Sequence, residues 1–336
     1  MSAFLESIIA RAKQEKKTIV LPEGDDHRVL EAAEKILEDD VANIIILGDP
    51  EEIAASGRKL DKAQIINPSD YDGREELAEQ LFELRKRKGM TLQEAHEKLD
   101  DVMYFGVMLV KAGLADGMVG GANHPTAKLL RPSLQIIKTN KKAPLVSTFF
   151  ILCVPNCDMG ANGTFMFADC GLVVNPTAEE LAHIAATTSV SFRNLVGIEP
   201  KVAMLSHSTY GTAKNDDAAK VVEATEIAKT LSKRLIIDGE MQADAALVPE
   251  VGEMKAPGSP VAGQANVLVF PNLDSGNIAY KMVQRFGKAE AYGPITQGIA
   301  APINDLSRGC FAHDVYGVIA ITAVQAQMND DSQFEF

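Results

Sequence analysis

With 336 residues, 46% of them hydrophobic and 24% charged, the chain has the composition of an ordinary soluble globular protein of one large or two average domains. Its formal net charge of −13 excludes a basic nucleic-acid footprint, and no uninterrupted apolar segment reaches membrane-spanning length. An anionic ligand must therefore be held by a few local cations against the global field. Only 11 of the 33 basic residues are arginines, so an arginine in glycine-rich or apolar surroundings is a candidate ligand.

The N-terminal "MSAFLESIIARAKQEKK" carries Glu6 in its apolar part and lacks a small-residue cleavage site, so it does not read as a secretory signal. Its periodicity predicts an amphipathic helix with Phe4, Leu5, Ile8 and Ile9 on one face. "TIVLPEG" (18–24) then reads as a strand ending in a turn, and "DDHRVLEAAEKILED" (25–39) as a helix with acids in its first turn. "ANIIILGDP" (42–50) repeats the pattern, and "GMVGGANH" (117–124) leads to a helix near 126–138. Further strands are expected in "PLVSTFFIL" (144–152), "KVAMLS" (201–206), "RLIIDG" (234–239) and "NVLVFPNL" (266–273), each followed by a loop and a helical stretch.

Nearly continuous apolar, β-branched strands alternating with helices predict an α/β fold with largely parallel sheets covered on both faces. Ligands of such sheets sit beyond the carboxyl ends of the strands. The loops "PEGDDHR", "GGANHPT", "LSHSTYGTAK", "FPNLDSGN" and "INDLSRG" are expected there. Charged breaks at "KTNKKAP" (138–144) and "FGKAEAYGP" (286–294) suggest two α/β domains with a cleft between them, and the polar tail "NDDSQFEF" ends the chain.

Cys153, Cys157, Cys170 and Cys310 lack the paired spacing of a zinc site and read as reduced, mostly buried cytoplasmic cysteines. The Asp-Asp pairs at 25–26, 39–40, 100–101, 216–217 and 330–331 fall at helix ends, where capping is the expected role rather than metal binding. No G-x-G-x-x-G, Walker lysine, G-x-S-x-G or H-E-x-x-H motif is present. In "AMLSHSTYGTAKNDDAAK", Ser206, Ser208, Thr209 and Thr212 either surround an anion at a helix N-terminus or simply cap their own turn. Arg131 precedes Pro132 in an apolar helix, while Arg85 and Arg87 in "FELRKRKGM" look the most exposed of the arginines. "INDLSRGCFAHD" is the densest constellation. Ser307 and Arg308 precede a glycine, and Asp314 enters an apolar run. Arginine offers phosphate a bidentate fork, and a carboxylate at an apolar helix entrance suits a general base. A structural Arg–Asp pair is the alternative reading of these residues.

Taken together, "ELRKRKG", "LRPSLQIIKT", "ANGTFMFADCG", "NPTAEELA", "DGEMQADAALVP", "ANVLVFPNLDSGNIAYKMVQR" and "GPITQGIAAPINDLSRG" resemble the phosphate acetyltransferase (phosphotransacetylase) and phosphate butyryltransferase family, in its short form, over essentially the whole chain. The resemblance implies reversible acetyl transfer between coenzyme A and inorganic phosphate by a cytoplasmic acyltransferase, often a homodimer, with coenzyme A as substrate and no permanently bound cofactor or metal. Phosphate butyryltransferase and a non-catalytic effector-binding module are the alternatives. It further implies an isocitrate/isopropylmalate dehydrogenase-like pair of domains, 1–143 plus 297–336 and 144–296. The family's catalytic aspartate falls on Asp314 and its Ser-Arg pair on Ser307 and Arg308; its substrate-binding arginines fall on Arg85 and Arg131, near Thr126, and an active-site cysteine of some members falls on Cys157. Departures from the usual motifs stand at Lys128, His207, Tyr210 and Thr212, where coenzyme A contacts are expected to differ.

Overall fold

A computed structural model describes residues 1–328. In chain order it begins with α1 (Ala3–Ala12), β1 (Thr18–Leu21), α2 (His27–Glu38), β2 (Asn43–Leu47), α3 (Pro50–Ala55) and β3 (Gln64–Ile66). Next come α4 (Arg74–Arg85), α5 (Leu92–Lys98), α6 (Val102–Lys111), β4 (Gly117–Gly120) and α7 (Thr126–Ile136). The middle of the chain forms β5 (Ser147–Cys153), α8 (Met159–Asn162), β6 (Thr164–Ala168), α9 (Ala178–Val196), β7 (Val202–Leu205), α10 (Asp216–Leu231) and β8 (Ile237–Met241). It ends with α11 (Ala243–Leu247), α12 (Pro249–Lys255), β9 (Val267–Val269), α13 (Leu273–Phe286), β10 (Glu290–Gln297), β11 (Ile303–Asp305) and α14 (Ala312–Gln327). The polar tail and the Asp330-Asp331 pair lie outside the described residues.

The chain divides into two compact units. The first joins Leu5–Asn140 to Ile299–Met328, and the second comprises Lys141–Gly298 with Met1–Phe4. In the first unit all five strands run parallel in the order β11-β4-β1-β2-β3. Strand order reverses between β1 and β4: after β1 the chain moves outward through β2 and β3, then returns to β4 on the other side. The helices that follow the two neighbours pack on different sides, α2 with α14 and α7 with α6, so the carboxyl ends of β1 and β4 are the point where open α/β sheets place ligands. Successive strand residues face opposite sides of a sheet. Accordingly, Thr322 of α14 packs over Gly117, while the next residue, Met118, lies against Gly106 of α6. The two apolar helices thus cover opposite faces.

Helix starts follow local chemistry. Asp26 and Asp101 cap α2 and α6, accepting from the N–H groups of Arg28 and Met103 at 2.9 Å. Thr91 and Thr177 form capping boxes with Glu94 and Glu180. Asp216 and Asp217 occupy the first turn of α10, but its cap is Asn215. Phe4, Leu5 and Ile8 of α1 are buried and Ile9 is half-buried. All four cysteines are free, Cys157 alone being half-buried and the other three buried.

The second unit's sheet is mixed, in the order β10-β5-β6-β9-β7-β8. Here the structure corrects the expectation that every strand leads into a helical crossover. β5 is joined to β6 through the four-residue α8 and pairs antiparallel with it, and β10 pairs antiparallel with β5. Sequence reading misses β3, β6, β10 and β11 as strands. Gly293-Pro294 reads as a break, yet β10 is an edge strand whose register shifts between Tyr292 and Ile295, and a bulged edge tolerates proline. β11 is only three residues long, two of them polar.

Candidate active site

The carboxyl ends of β1, β4 and β11 place three loops side by side in the first unit. Glu23 follows β1 and is 1% exposed. One carboxylate oxygen accepts from the backbone N–H groups of Gly121 and Ala122 at 2.8 Å each; the other accepts from Asn123 N–H at 3.0 Å and lies 2.8 Å from His124 Nδ1. A buried acid thus stitches the first loop to the second. Gly121, at φ +101°, is required at the junction, since a Cβ there would fall 2.0 Å from Asp305 Oδ1.

Asp305 ends β11 and is fully buried. Its Oδ2 accepts from Thr126 Oγ1 at 2.5 Å, which ties the third loop to the start of α7. Burial pushes its pKa up to about 7, outweighing the hydrogen bonds from Thr126 and the Leu306 N–H.

Beyond β11 the chain makes a tight turn, with Cys310 N–H donating to Ser307 O at 2.8 Å and Gly309 N–H to Ser307 Oγ at 3.3 Å. Ser307 is half-buried. The Arg308 side chain is exposed and makes no hydrogen bond or ion pair among the described residues. Asp314 sits in the first turn of α14, 4% exposed, where its Oδ2 accepts from Phe311 N–H at 2.9 Å. His313 Nε2 lies 3.3 Å from its Oδ1, and the imidazole stacks on Phe311 at 5.5 Å between centroids. The constellation therefore combines an uncommitted guanidinium with a nearly buried carboxylate six residues on.

Arg85 and Arg131 line a cavity of about 460 Å³ with Lys88, Lys98, Tyr104 and Gln135. The structure corrects the reading of Arg85 as one of the most exposed candidates, since Arg131 and Arg308 are exposed and Arg85 is not. At the last turn of α4 it is half-buried, and its Nε is buried without a hydrogen-bond partner. Glu94 and Glu97 line the same cavity, so its charge is mixed with cations in excess, and a guanidinium donor buried without an acceptor is costly. Tyr104 donates to Gln135 at 3.0 Å, and Lys98 Nζ lies 5.3 Å from the Tyr104 ring centre. Among the described residues, no group of His, Cys, Asp and Glu side chains converges as a metal site requires.

The hydroxyl loop after β7 belongs to the second unit and is turned largely inward. Ser208 and Thr209 are buried. Ser208 Oγ donates to Glu240 at 2.7 Å and accepts from Ala213 N–H at 3.0 Å, while Thr209 Oγ1 accepts from Gln242 N–H at 3.0 Å. Thr212 Oγ1 accepts from Thr209 N–H at 3.0 Å. These hydroxyls are committed to their own loop and to Glu240 and Gln242. Ser206 and Cys157 are half-buried.

A family model described as phosphate acetyl/butyryl transferase matches residues 3–323. The chain belongs to this family. It is 55% identical to the phosphate acetyltransferase of Acetivibrio thermocellus, over 97% of this chain and 98% of that one. It is equally 55% identical to that of Thermoanaerobacterium thermosaccharolyticum, over 97% of this chain and all of the other. Among solved structures, a phosphotransacetylase from Streptococcus pyogenes superposes with a TM-score of 0.89 at 46% identity, covering 97% of this chain and 99% of that one.

In this member of the phosphate acetyl/butyryl transferase family, Ser307, Arg308, Asp314 and Thr126 share one unit with Arg85 and Arg131, whereas Ser206, Ser208, Thr209 and Cys157 lie in the other. Glu23, Arg28, His124 and Asp305 were not singled out from sequence. The available signals were an acid before glycine in "PEGDDHR" and an acid two residues before "SRG". Asp305 yields a stability prediction. Its folded-state pKa lies above the ordinary carboxylate range near 4, so the folded chain holds this proton more tightly than the unfolded chain. The resulting stabilisation is complete below about pH 4 and is lost as the pH rises through about 7. Asp305→Asn, which cannot ionise but still accepts from Thr126, therefore gains on the parent between about pH 5 and 8, by about 4 kcal/mol at most. Urea unfolding at the two pH values checks this; parallel profiles for parent and variant rule out a buried, tightly held proton on Asp305.

Proposed function

We propose that the chain is a phosphate acetyltransferase, moving an acetyl group reversibly between coenzyme A and inorganic phosphate. The observation that carries this reading is the exposed, hydrogen-bond-free Arg308 guanidinium six residues before the nearly buried Asp314, on the segment that leaves β11 beside β4 and the switch in strand order. The names carried by relatives of 55% identity support it.

In the proposed reaction Asp314 takes the proton of the coenzyme A thiol, whose pKa is roughly 8 to 9 by analogy with cysteine. The thiolate sulfur then forms a bond to the carbonyl carbon of acetyl phosphate. The carbon–oxygen bond to the phosphoryl group breaks, and phosphate leaves with that electron pair. Arg308 and Ser307 stabilise the charge developing on the acyl oxygen and on the departing phosphate. Holding both substrates together supplies the proximity contribution, and no acyl-enzyme is needed. Arg85 and Arg131 take phosphoryl groups of the substrates in the cavity they line. Thr126, placed by Asp305, lies at the start of α7. In the second unit, Ser206 and Cys157 are the proposed contacts, with Ser208 and Thr209 shaping the loop behind Ser206.

A homodimer in the cytoplasm is part of the proposal. α13 exposes Ile278, Met282 and Phe286, by 58, 50 and 81%, at one helical spacing; such an apolar ridge suits a second copy of the chain. Sedimentation at the mass of a single chain refutes the dimer. No helix among the described residues is long and apolar enough to cross a membrane, and the free thiols suit a reducing compartment.

Purified protein is expected to form thioester from acetyl phosphate and coenzyme A, and more efficiently than from butyryl phosphate. A pocket discriminates by only about 1–3 kcal/mol per methylene, so the preference for acetyl is modest. Absence of thioester refutes the function, and a higher kcat/KM with butyryl phosphate reassigns the acyl group.

A further inference from the structure

Arg28 is the second residue of α2, where the helix N-terminus disfavours a cation. Its side chain nonetheless lies folded against that end, only 20% exposed. The guanidinium engages the capping Asp26 in a bidentate pair, Nε to Oδ1 at 3.0 Å and one terminal nitrogen to Oδ2 at 2.7 Å. That same nitrogen donates to Ala122 O at 2.6 Å, in the loop after β4. The other terminal nitrogen donates to Arg308 O at 2.9 Å and Cys310 O at 3.0 Å, in the loop after β11.

Five N–H groups are the whole donor capacity of an arginine, and five oxygen acceptors surround this one, with Cys310 Sγ a further contact at 3.8 Å. No donor remains for a substrate. What the side chain holds is backbone: the carbonyls on either side of Gly309, in a turn whose glycine would otherwise leave the direction of Arg308 poorly determined. Cys310 also stands four residues before Asp314, so the same clamp governs how the chain enters α14.

We propose that Arg28 is a positioning residue for the transfer reaction, a three-loop clamp whose planar fork holds the Arg308–Cys310 backbone so that Arg308 points at the phosphoryl group. The inference rests on the function proposed above. It makes a demand that charge alone does not meet. Lysine keeps the cation but has three donors on one atom, and cannot span Asp26, Ala122 and the Arg308–Cys310 turn together.

The test is steady-state kinetics of thioester formation by Arg28→Lys, Arg28→Gln and Asp26→Asn, with Arg28→Gln also combined with Arg308→Ala. A misplacement of about 1 Å costs on the order of a hundredfold in rate, so both Arg28 variants are expected to lose about that much in kcat. The KM for coenzyme A should stay within about threefold of the parent, because none of Arg28's hydrogen-bond partners lines the Arg85–Arg131 cavity. The double variant should be within about threefold of Arg308→Ala alone, since two residues acting through one guanidinium are not additive. Asp26→Asn, which loosens the fork without removing it, is expected to fall between parent and Arg28→Gln, and it keeps the test open if the Arg28 variants fold poorly. Near-parental kcat in Arg28→Lys, multiplicative losses in the double variant, or parental kcat in Asp26→Asn overturns the clamp. A parent that forms no thioester refutes the functional reading, and the inference with it; an active parent leaves Arg28 alone in question.

Discussion

Asp314→Asn is expected to lower turnover by about 10²–10⁴, the usual span for loss of a general base. Asparagine has nearly the shape of aspartate, and its amide oxygen still accepts from Phe311 N–H, the bond that Asp314 makes at 2.9 Å. The first turn of α14 therefore keeps its geometry, and the unfolding midpoint should move little. What disappears is the ability to take the thiol proton. Substrate affinities should change little, because the carboxylate acts on chemistry and not on binding. The residual rate should rise with pH, as solution supplies more thiolate near the thiol pKa of roughly 8 to 9. If Asp314 were only a cap, its substitution would lower stability and weaken both substrates together. Normal turnover in a stably folded Asp314→Asn protein removes Asp314 as the base.

Arg308→Lys is expected to lose on the order of 10²–10³ in kcat/KM, comparable to deletion of an oxyanion donor. The structure makes this a clean substitution. The side chain is exposed and makes no hydrogen bond or ion pair among the described residues, and Arg28 grips only its backbone carbonyl. Stability should therefore match the parent, so a kinetic loss reports on the reaction alone. Lysine retains the charge but not the planar pair of donors that phosphate accepts. Thermal melting and steady-state kinetics on the same preparation check both halves. Recovery of nearly full activity in Arg308→Lys would mean that a point charge suffices, and the bidentate role would fall.

The local part of the site was legible because its residues are neighbours in the chain. Ser307, Arg308 and Asp314 fall within eight residues of a glycine-broken turn and an apolar helix, and local order keeps them together in the fold. Arg85 was misjudged for a related reason. Its neighbours Lys86, Arg87 and Lys88 are exposed, so composition averages to a solvated face, whereas the end of α4 turns that one side chain inward. In the loop after β7, spacing alone could not separate hydroxyls facing a ligand from hydroxyls closing a turn. Glu240 and Gln242, about thirty residues away along the chain and brought close by the pairing of β7 with β8, decide it.

By itself the sequence determined the α/β class, most of the strands and the polarity of the loops beyond them, since β-branched runs and 3.6-residue periodicity act over a few residues. It also determined the short segment that carries Arg308 and Asp314. Strand order was decided only by tertiary structure, because pairing depends on which apolar faces cover one another and not on proximity in the chain. That order sets β1, β4 and β11 side by side, and so joins Glu23 to the backbone after β4, Asp305 to Thr126, and Arg28 to carbonyls 94, 280 and 282 residues away. A buried carboxylate or a five-fold donor has meaning only through such partners, which no window of the sequence contains.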